Sequence, residues 1–383
     1  MLHLSKVNAF LIYFLLFFVP LIFLPYISLS FEPPKVLASE LVIGLLCAYT
    51  VFTGLFKLSK MDKKLNLIIC SLFLLSLFHL IFDPSRGNLF GNVFRLQGTI
   101  LFWFLLALTL VAQNTYFRLK QRYIYFSGFL AIVISGFVFG DNSAGRWIGS
   151  LGEPNALAAV IVMIFPFVFL SFKNFWIKAL TIILSLVVIN FSESRSGLIG
   201  FGLELLFITI IKIFKERYKL AVIVCGILVT LSLILPIVER QYFLKTNTNP
   251  YILRFEDRAE IWEAAVNAGL SSPIYGSGLE SIQEQIRMSA KKMNANSQHQ
   301  IIDSSHNFIL DFWIWGGAIG VLLMVYLIIL TLKNLIKKKL VIETTIFIGL
   351  LSVLSFNPTT VVVLVGFWWV IGRSFSQDPE KTV

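Results

Sequence analysis

The chain has 383 residues, of which 57% are hydrophobic and only 14% charged, with a mean hydropathy of +0.82; an ordinary soluble domain carries about 25% charge. This composition excludes a soluble globular enzyme and predicts an all-α integral membrane protein. The net charge of +11 does not imply nucleic-acid binding, because in a membrane chain excess lysine encodes orientation.

Apolar runs of about 17 to 25 residues, long enough to span a bilayer, recur along the whole length. They predict twelve spans, at 8–29, 36–56, 65–82, 96–113, 122–140, 155–172, 175–191, 197–214, 219–237, 306–332, 340–356 and 359–373. The first run is too long for a signal-peptide core and lacks a small-residue cleavage site, so it is read as a span. The last two are short and form a tight pair turning at Asn357-Pro358. The pattern divides the chain into a nine-span bundle (1–237), a long polar loop (238–305) and three closing spans (306–383). Cys47, Cys70 and Cys225 all fall within apolar runs, which implies neither a disulfide nor a metal cluster.

Alternate connections are rich in lysine: Lys57, Lys60, Lys63 and Lys64, then Lys173 and Lys178, then Lys212, Lys215 and Lys219, then Lys337 to Lys339. By the positive-inside rule these connections and both termini are cytoplasmic, and the 238–305 loop is external. Arginine sorts the other way. Arg118, Arg122, Arg217 and Arg373 fall inside, whereas Arg86, Arg95, Arg146, Arg195, Arg240, Arg254, Arg258 and Arg287 fall outside. Topology gives no reason to keep arginine outside, and its planar fork suits phosphate or carboxylate. An anionic ligand held at the outer face is the expectation, against headgroup contact and ordinary surface pairing.

Four stretches carry this chemistry. Arg86 and Arg95 flank Gly87, Gly91 and Gly98 in DPSRGNLFGNVFRLQG, where glycine turns can bring backbone N–H groups to an anion; snorkelling explains Arg95 equally well. Arg146-Trp147 lies in DNSAGRWIGSLGEPN and is as compatible with an interfacial belt as with a site. SESRSG, at 192–197, sets Arg195 at the start of the eighth span, where charge and helix dipole both favour an anion; Glu193 is a possible partner. In the long loop, 257–270 reads as a helix with Arg258 in its first turn and Ile261, Trp262, Ala265 and Val266 on one side. A start at Pro250 would instead put Arg254 and Arg258 on one face. The stretch 279–293 reads as a second amphipathic helix lying on the membrane surface as a lid. His306, at the lip of the tenth span, is a neutral-pH base near these arginines; His299 and His79 are the other candidates.

The order of these motifs, SRSG at a span start, R-x-x-x-W in the long loop (Arg258, Trp262), P-x-x-G-x-G (Pro273, Gly276, Gly278), then HN-F-x-L with W-G-G-x-x-G behind it, resembles the O-antigen ligase and O-antigen polymerase superfamily. The resemblance implies a GT-C-like glycosyltransferase of the bacterial cytoplasmic membrane, with its active face periplasmic. It implies a donor glycan on undecaprenyl diphosphate and an acceptor hydroxyl on a glycan, lipid or protein. It assigns donor binding to Arg195 and Arg258, helped by Arg254, and the general base to His306. It implies metal-independent, inverting transfer with no cofactor. A polysaccharide polymerase shares the same motifs. Transport of an anionic substrate is the competing class, but transporters place their sites near the bilayer midplane. Here only Glu204 and Glu343 stand out at mid-depth.

Overall fold

The computed structural model describes residues 2–24, 31–54, 61–114, 121–140, 145–214, 217–246, 258–279, 281–293 and 302–376. They form helices and no sheet. In chain order these are α1 (Leu2–Tyr13, continued by a π turn at Phe14–Phe18), α2 (Glu32–Phe52), α3 (Lys63–Phe82), α4 (Arg86–Phe90), α5 (Thr99–Asn114), α6 (Arg122–Val138), α7 (Pro154–Ser171), α8 (Phe175–Phe191), α9 (Arg195–Ile213), α10 (Tyr218–Ser232), α11 (Leu235–Thr246), α12 (Arg258–Gly269), α13 (Ser281–Lys292), α14 (Phe308–Lys338), α15 (Val341–Leu354) and α16 (Val361–Phe375). Six stretches are long and apolar enough to cross a membrane, and six shorter apolar helices accompany them among the described residues. Each of the twelve expected apolar runs overlaps one of these, six of them at spanning length and six shorter. The chain is a multi-pass membrane protein.

Local chemistry sets the helix starts. Proline occupies the first turn of α2 and α7, and Asp62, Asn174, Ser194 and Asn307 cap α3, α8, α9 and α14 through their side chains. The centre of the bundle is built from α7, α15 and α16. Every residue of α16 is buried, and α7 is buried almost throughout. The two short closing helices are therefore the core rather than an appendage, with α16 against α5 and α15 against α9.

The ends of the bundle differ in chemistry. At one end Lys338 Nζ donates to the Ser374 carbonyl at 2.7 Å, Arg373 pairs with Glu343 at 3.5 Å, and Asp62 N donates to Gln113 at 2.7 Å. Glu343 thus lies in the first turn of α15 with an arginine partner, not at mid-depth as its place in the sequence suggested. Glu204 is fully buried in the middle of α9, facing Gly349 of α15. The opposite end carries the arginine motifs and the polar loop.

The loop helices pack inward. Ile261, Ala264, Ala265 and Ala268 of α12, Ile286 and Ala290 of α13, and Ile302 and Ile314 form one buried cluster. The apolar face of α13 is covered by α12 and α14, so it is not a surface-lying lid. The inward face of α12 uses Ala264 and Ala268, whereas Val266 is exposed.

Candidate active site around the 355–360 turn

The P-x-x-G-x-G and W-G-G motifs interlock. A kink at Gly317 (φ 58°) interrupts α14, breaking the bonds that Ala318 N and Ile319 N would make to the carbonyls of Ile314 and Trp315. The 273–278 loop replaces them on both sides. Ala318 N donates to Pro273 O at 2.8 Å and Ile319 N to Ile274 O at 3.2 Å; Ser277 N donates to Ile314 O at 2.8 Å and Gly278 N to Trp315 O at 3.1 Å. Gly276 (φ 79°) is required here, because a Cβ would lie 2.2 Å from the Trp315 carbonyl oxygen. His79 anchors the same loop through its Nε2, 2.8 Å from Tyr275 O. This splice fixes where α14 begins, and with it His306.

Four residues before α14 build a tight turn. Ser305 N donates to Asp311 Oδ1 at 2.7 Å, Ser305 Oγ donates to Asn307 O at 2.8 Å, and His306 N donates to Ser304 Oγ at 3.2 Å. Asn307 caps α14 and donates from Nδ2 to Ser355 O at 3.2 Å. His306 is held at φ 56°, a left-handed conformation that a side-chain-bearing residue adopts only when its surroundings dictate it.

The turn joining α15 to α16 gathers the other motifs. Arg258, 6% exposed, donates from Nε to Phe356 O at 2.6 Å. Ser196, beside Arg195, donates to Asn357 Oδ1 at 2.9 Å. Arg95 Nη1 and Gln97 Nε2 donate to Thr359 O at 3.0 and 2.9 Å. Segments separated by hundreds of residues thus converge on six consecutive ones. Several buried polar atoms without a partner lie beside the same turn. Asn357 Nδ2, Thr360 Oγ1, Trp262 Nε1 and His306 Nδ1 are buried with no hydrogen-bond partner among the described residues, and the Trp262 ring sits 6.0 Å from that of Phe356. A buried polar atom left unpaired costs about 1–3 kcal/mol, and four of them gather beside this one turn.

Arg195 is the first residue of α9, whose N-cap Ser194 accepts from Gly197 N at 3.3 Å. It lines a groove of about 790 Å³ between the end of α8 and the start of α9, with Leu186, Ile189, Phe191, Glu193 and Leu198. Arg146 packs behind this motif, donating from Nε to Ser192 O at 2.9 Å and from Nη2 to Asn155 at 3.4 Å. Arg86 is exposed at the start of the five-residue α4. Arg254 lies outside the described residues, as do His299 and the segment 250–257, whose alternative helix start would have paired Arg254 with Arg258.

Arg95 has carboxylate company that the sequence did not reveal. It pairs with Asp303 and, at 3.4 Å, with Glu153. Burial works against its charge, but Glu153, Asp303 and Glu32 overcome burial and raise its pKa. His306 is pushed the other way, down to about 4. Burial is the main cause, repulsion from Arg258 adds to it, Asp303 opposes it, and Arg95 lowers it further. The imidazole is therefore a neutral proton acceptor throughout the physiological range.

The family model for O-antigen ligase matches residues 180–325, from within α8 to within α14. That span contains Arg195, Arg254, Arg258, the spliced kink and His306. No curated protein matches the chain.

Proposed function

We propose that this chain, whose residues 180–325 carry an O-antigen ligase domain, transfers a glycan from a polyprenyl diphosphate to an acceptor hydroxyl at the outer face of the bacterial cytoplasmic membrane. One observation carries the reading. The elements bearing Arg195, Arg258 and His306 are tied to a single turn, with unpartnered polar atoms beside it. Arg195, at the N-terminus of α9, and Arg258, in the first described turn of α12, hold the diphosphate and stabilise the charge that grows on it as it leaves. The half-exposed Leu186 and Leu198 of the α8–α9 groove give the polyprenyl chain an apolar path directly below Arg195.

In the chemical step the acceptor oxygen attacks the anomeric carbon of the donor sugar. The bond from that carbon to the phosphate oxygen breaks, and polyprenyl diphosphate departs with the electron pair. His306 takes the hydroxyl proton. Attack opposite the leaving group inverts the anomeric configuration. Arginines and helix dipoles do the electrostatic work, so the step runs without a metal ion.

Purified protein given a defined polyprenyl-diphosphate glycan and acceptor should release polyprenyl diphosphate in step with product, with product anomers opposite to the donor. EDTA should leave that rate nearly unchanged. A loss restored by Mg²⁺ would move the electrostatic role to carboxylates such as Glu153 and Asp303. Sidedness has its own test. In a cysteine-free background, Arg287→Cys should react with an impermeant maleimide in sealed cells, whereas Lys63→Cys and Lys173→Cys should be protected. Labelling of the two lysine positions from outside would put the site on the wrong face for this donor.

A further inference from the structure

A second cavity, lined by none of the Arg195 groove residues, adjoins this turn at Thr359. A half-enclosed cavity of about 120 Å³ lies between α5, α14 and α16, with Arg95, Gln97, Asp303, Asp311, Trp315 and Trp368 in its wall. Its polar side is overloaded with acceptors. Asp303 and Glu153 share Arg95, and Glu32 behind them takes Gln97 Nε2 at 3.1 Å and Val361 N at 2.6 Å. Lys35, whose charge acts on Glu32, is spent on the carbonyls of Phe31 and Ser150 at 2.9 and 2.8 Å. A diphosphate would meet more carboxylates than cations here, unlike in the Arg195 groove. A molecule rich in hydroxyl donors would find acceptors at the rim.

The other side is aromatic. Trp315 and Trp368 are almost fully buried and meet the Phe102 ring edge-on at 5.0 and 5.8 Å. An aromatic wall on one side and carboxylates on the other form the mixed lining that orients a polar ring in a pocket. The cavity is also coupled to the base. Asp303 and Arg95 both act electrostatically on His306, and Asp311 holds the backbone of Ser305 immediately before it.

We infer that this cavity is a subsite for one uncharged or amino-sugar ring, and that it seats the terminal sugar of the acceptor with a hydroxyl toward His306. Its acceptor role rests on the transfer reading above. The sugar site itself rests on the cavity. The two substrates then take separate places, the anionic donor with Arg195 and Arg258 and the saccharide with Arg95 and Asp303.

The test uses the full chain in lipid nanodiscs, free of glycoside detergents. Saturation-transfer NMR would be recorded with methyl glucoside, methyl N-acetylglucosaminide and methyl glucuronide, and undecaprenyl diphosphate binding would be followed by ³¹P NMR. The two uncharged glycosides should receive saturation and the glucuronide should not. Asp303→Asn should weaken glycoside binding about tenfold, as expected for loss of a charged hydrogen-bond acceptor. Leu279→Trp, which fills the cavity from a partly exposed loop position, should abolish glycoside binding, and both variants should still bind undecaprenyl diphosphate. Absence of saturation in the wild type, preference for the glucuronide, or unchanged glycoside binding in Leu279→Trp would overturn the site. If glycosides bind as expected but no donor is turned over, the transfer reading fails and the sugar site stands. If donor is turned over equally by wild type and Leu279→Trp without glycoside binding, the sugar site fails and the transfer reading stands.

Discussion

Replacing His306 with alanine is expected to slow transfer by about 10²–10⁴, the usual contribution of a general base, while leaving donor binding nearly intact. In the proposed mechanism the imidazole faces the acceptor, whereas guanidinium groups hold the diphosphate. The wild-type pH profile sharpens the test. Burial and Arg258 hold His306 near a pKa of about 4, so the active neutral form persists as pH falls through 6.5, where an ordinary histidine would protonate. The acid limb of kcat/KM, which reports the free enzyme, should therefore lie near pH 4. Bound diphosphate offsets the charge of Arg258, which raises the His306 pKa, so the acid limb of kcat should lie at higher pH than that of kcat/KM. Both limbs should vanish in His306→Ala. A mutant that loses donor binding but turns over bound donor at the wild-type rate would make the histidine a diphosphate ligand instead. The base would then have to be found elsewhere, with Asp303 the nearest carboxylate in sequence.

The sequence made one part of this site legible and hid another. Arg195, Arg258 and His306 are visible because charged or titratable groups beside long apolar runs are expensive and need a reason. The turn that joins them shows in the sequence only as Asn357-Pro358, since it works mainly through the carbonyls of Ser355, Phe356 and Thr359, and a carbonyl has no sequence signature. Arg95 could be read as an anion site because Asp303, its partner, lies 208 residues away. The apolar face of α13 was equally visible, but periodicity shows that such a face exists, not whether lipid or α12 covers it. The same limit explains α15 and α16. In water an all-apolar helix announces burial, whereas in a bilayer lipid is as apolar as a protein core, so hydropathy cannot separate central helices from peripheral ones. The P-x-x-G-x-G and W-G-G motifs were seen singly. Only the four backbone bonds between them show that they are two halves of one splice.

Replacing Arg258 with glutamine is expected to lower kcat/KM by about 10²–10³, comparable to removing one preorganised donor from an oxyanion site. The loss should appear in donor affinity and in rate together, because the proposed mechanism has the group touch the diphosphate before and during its departure. Lysine at the same position separates charge from geometry. Arginine divides two duties, its Nε on the Phe356 carbonyl and its terminal nitrogens beyond it, whereas lysine has a single nitrogen for both. Arg258→Lys should therefore recover only part of the loss, and its shortfall should persist at saturating acceptor. Expression and thermal stability of Arg258→Lys should stay close to wild type, since the ammonium can still reach the turn. Full recovery of activity by lysine would mean that charge alone suffices and that the fork plays no part. Undiminished donor binding in Arg258→Gln would remove this residue from the diphosphate site and leave Arg195 to carry it.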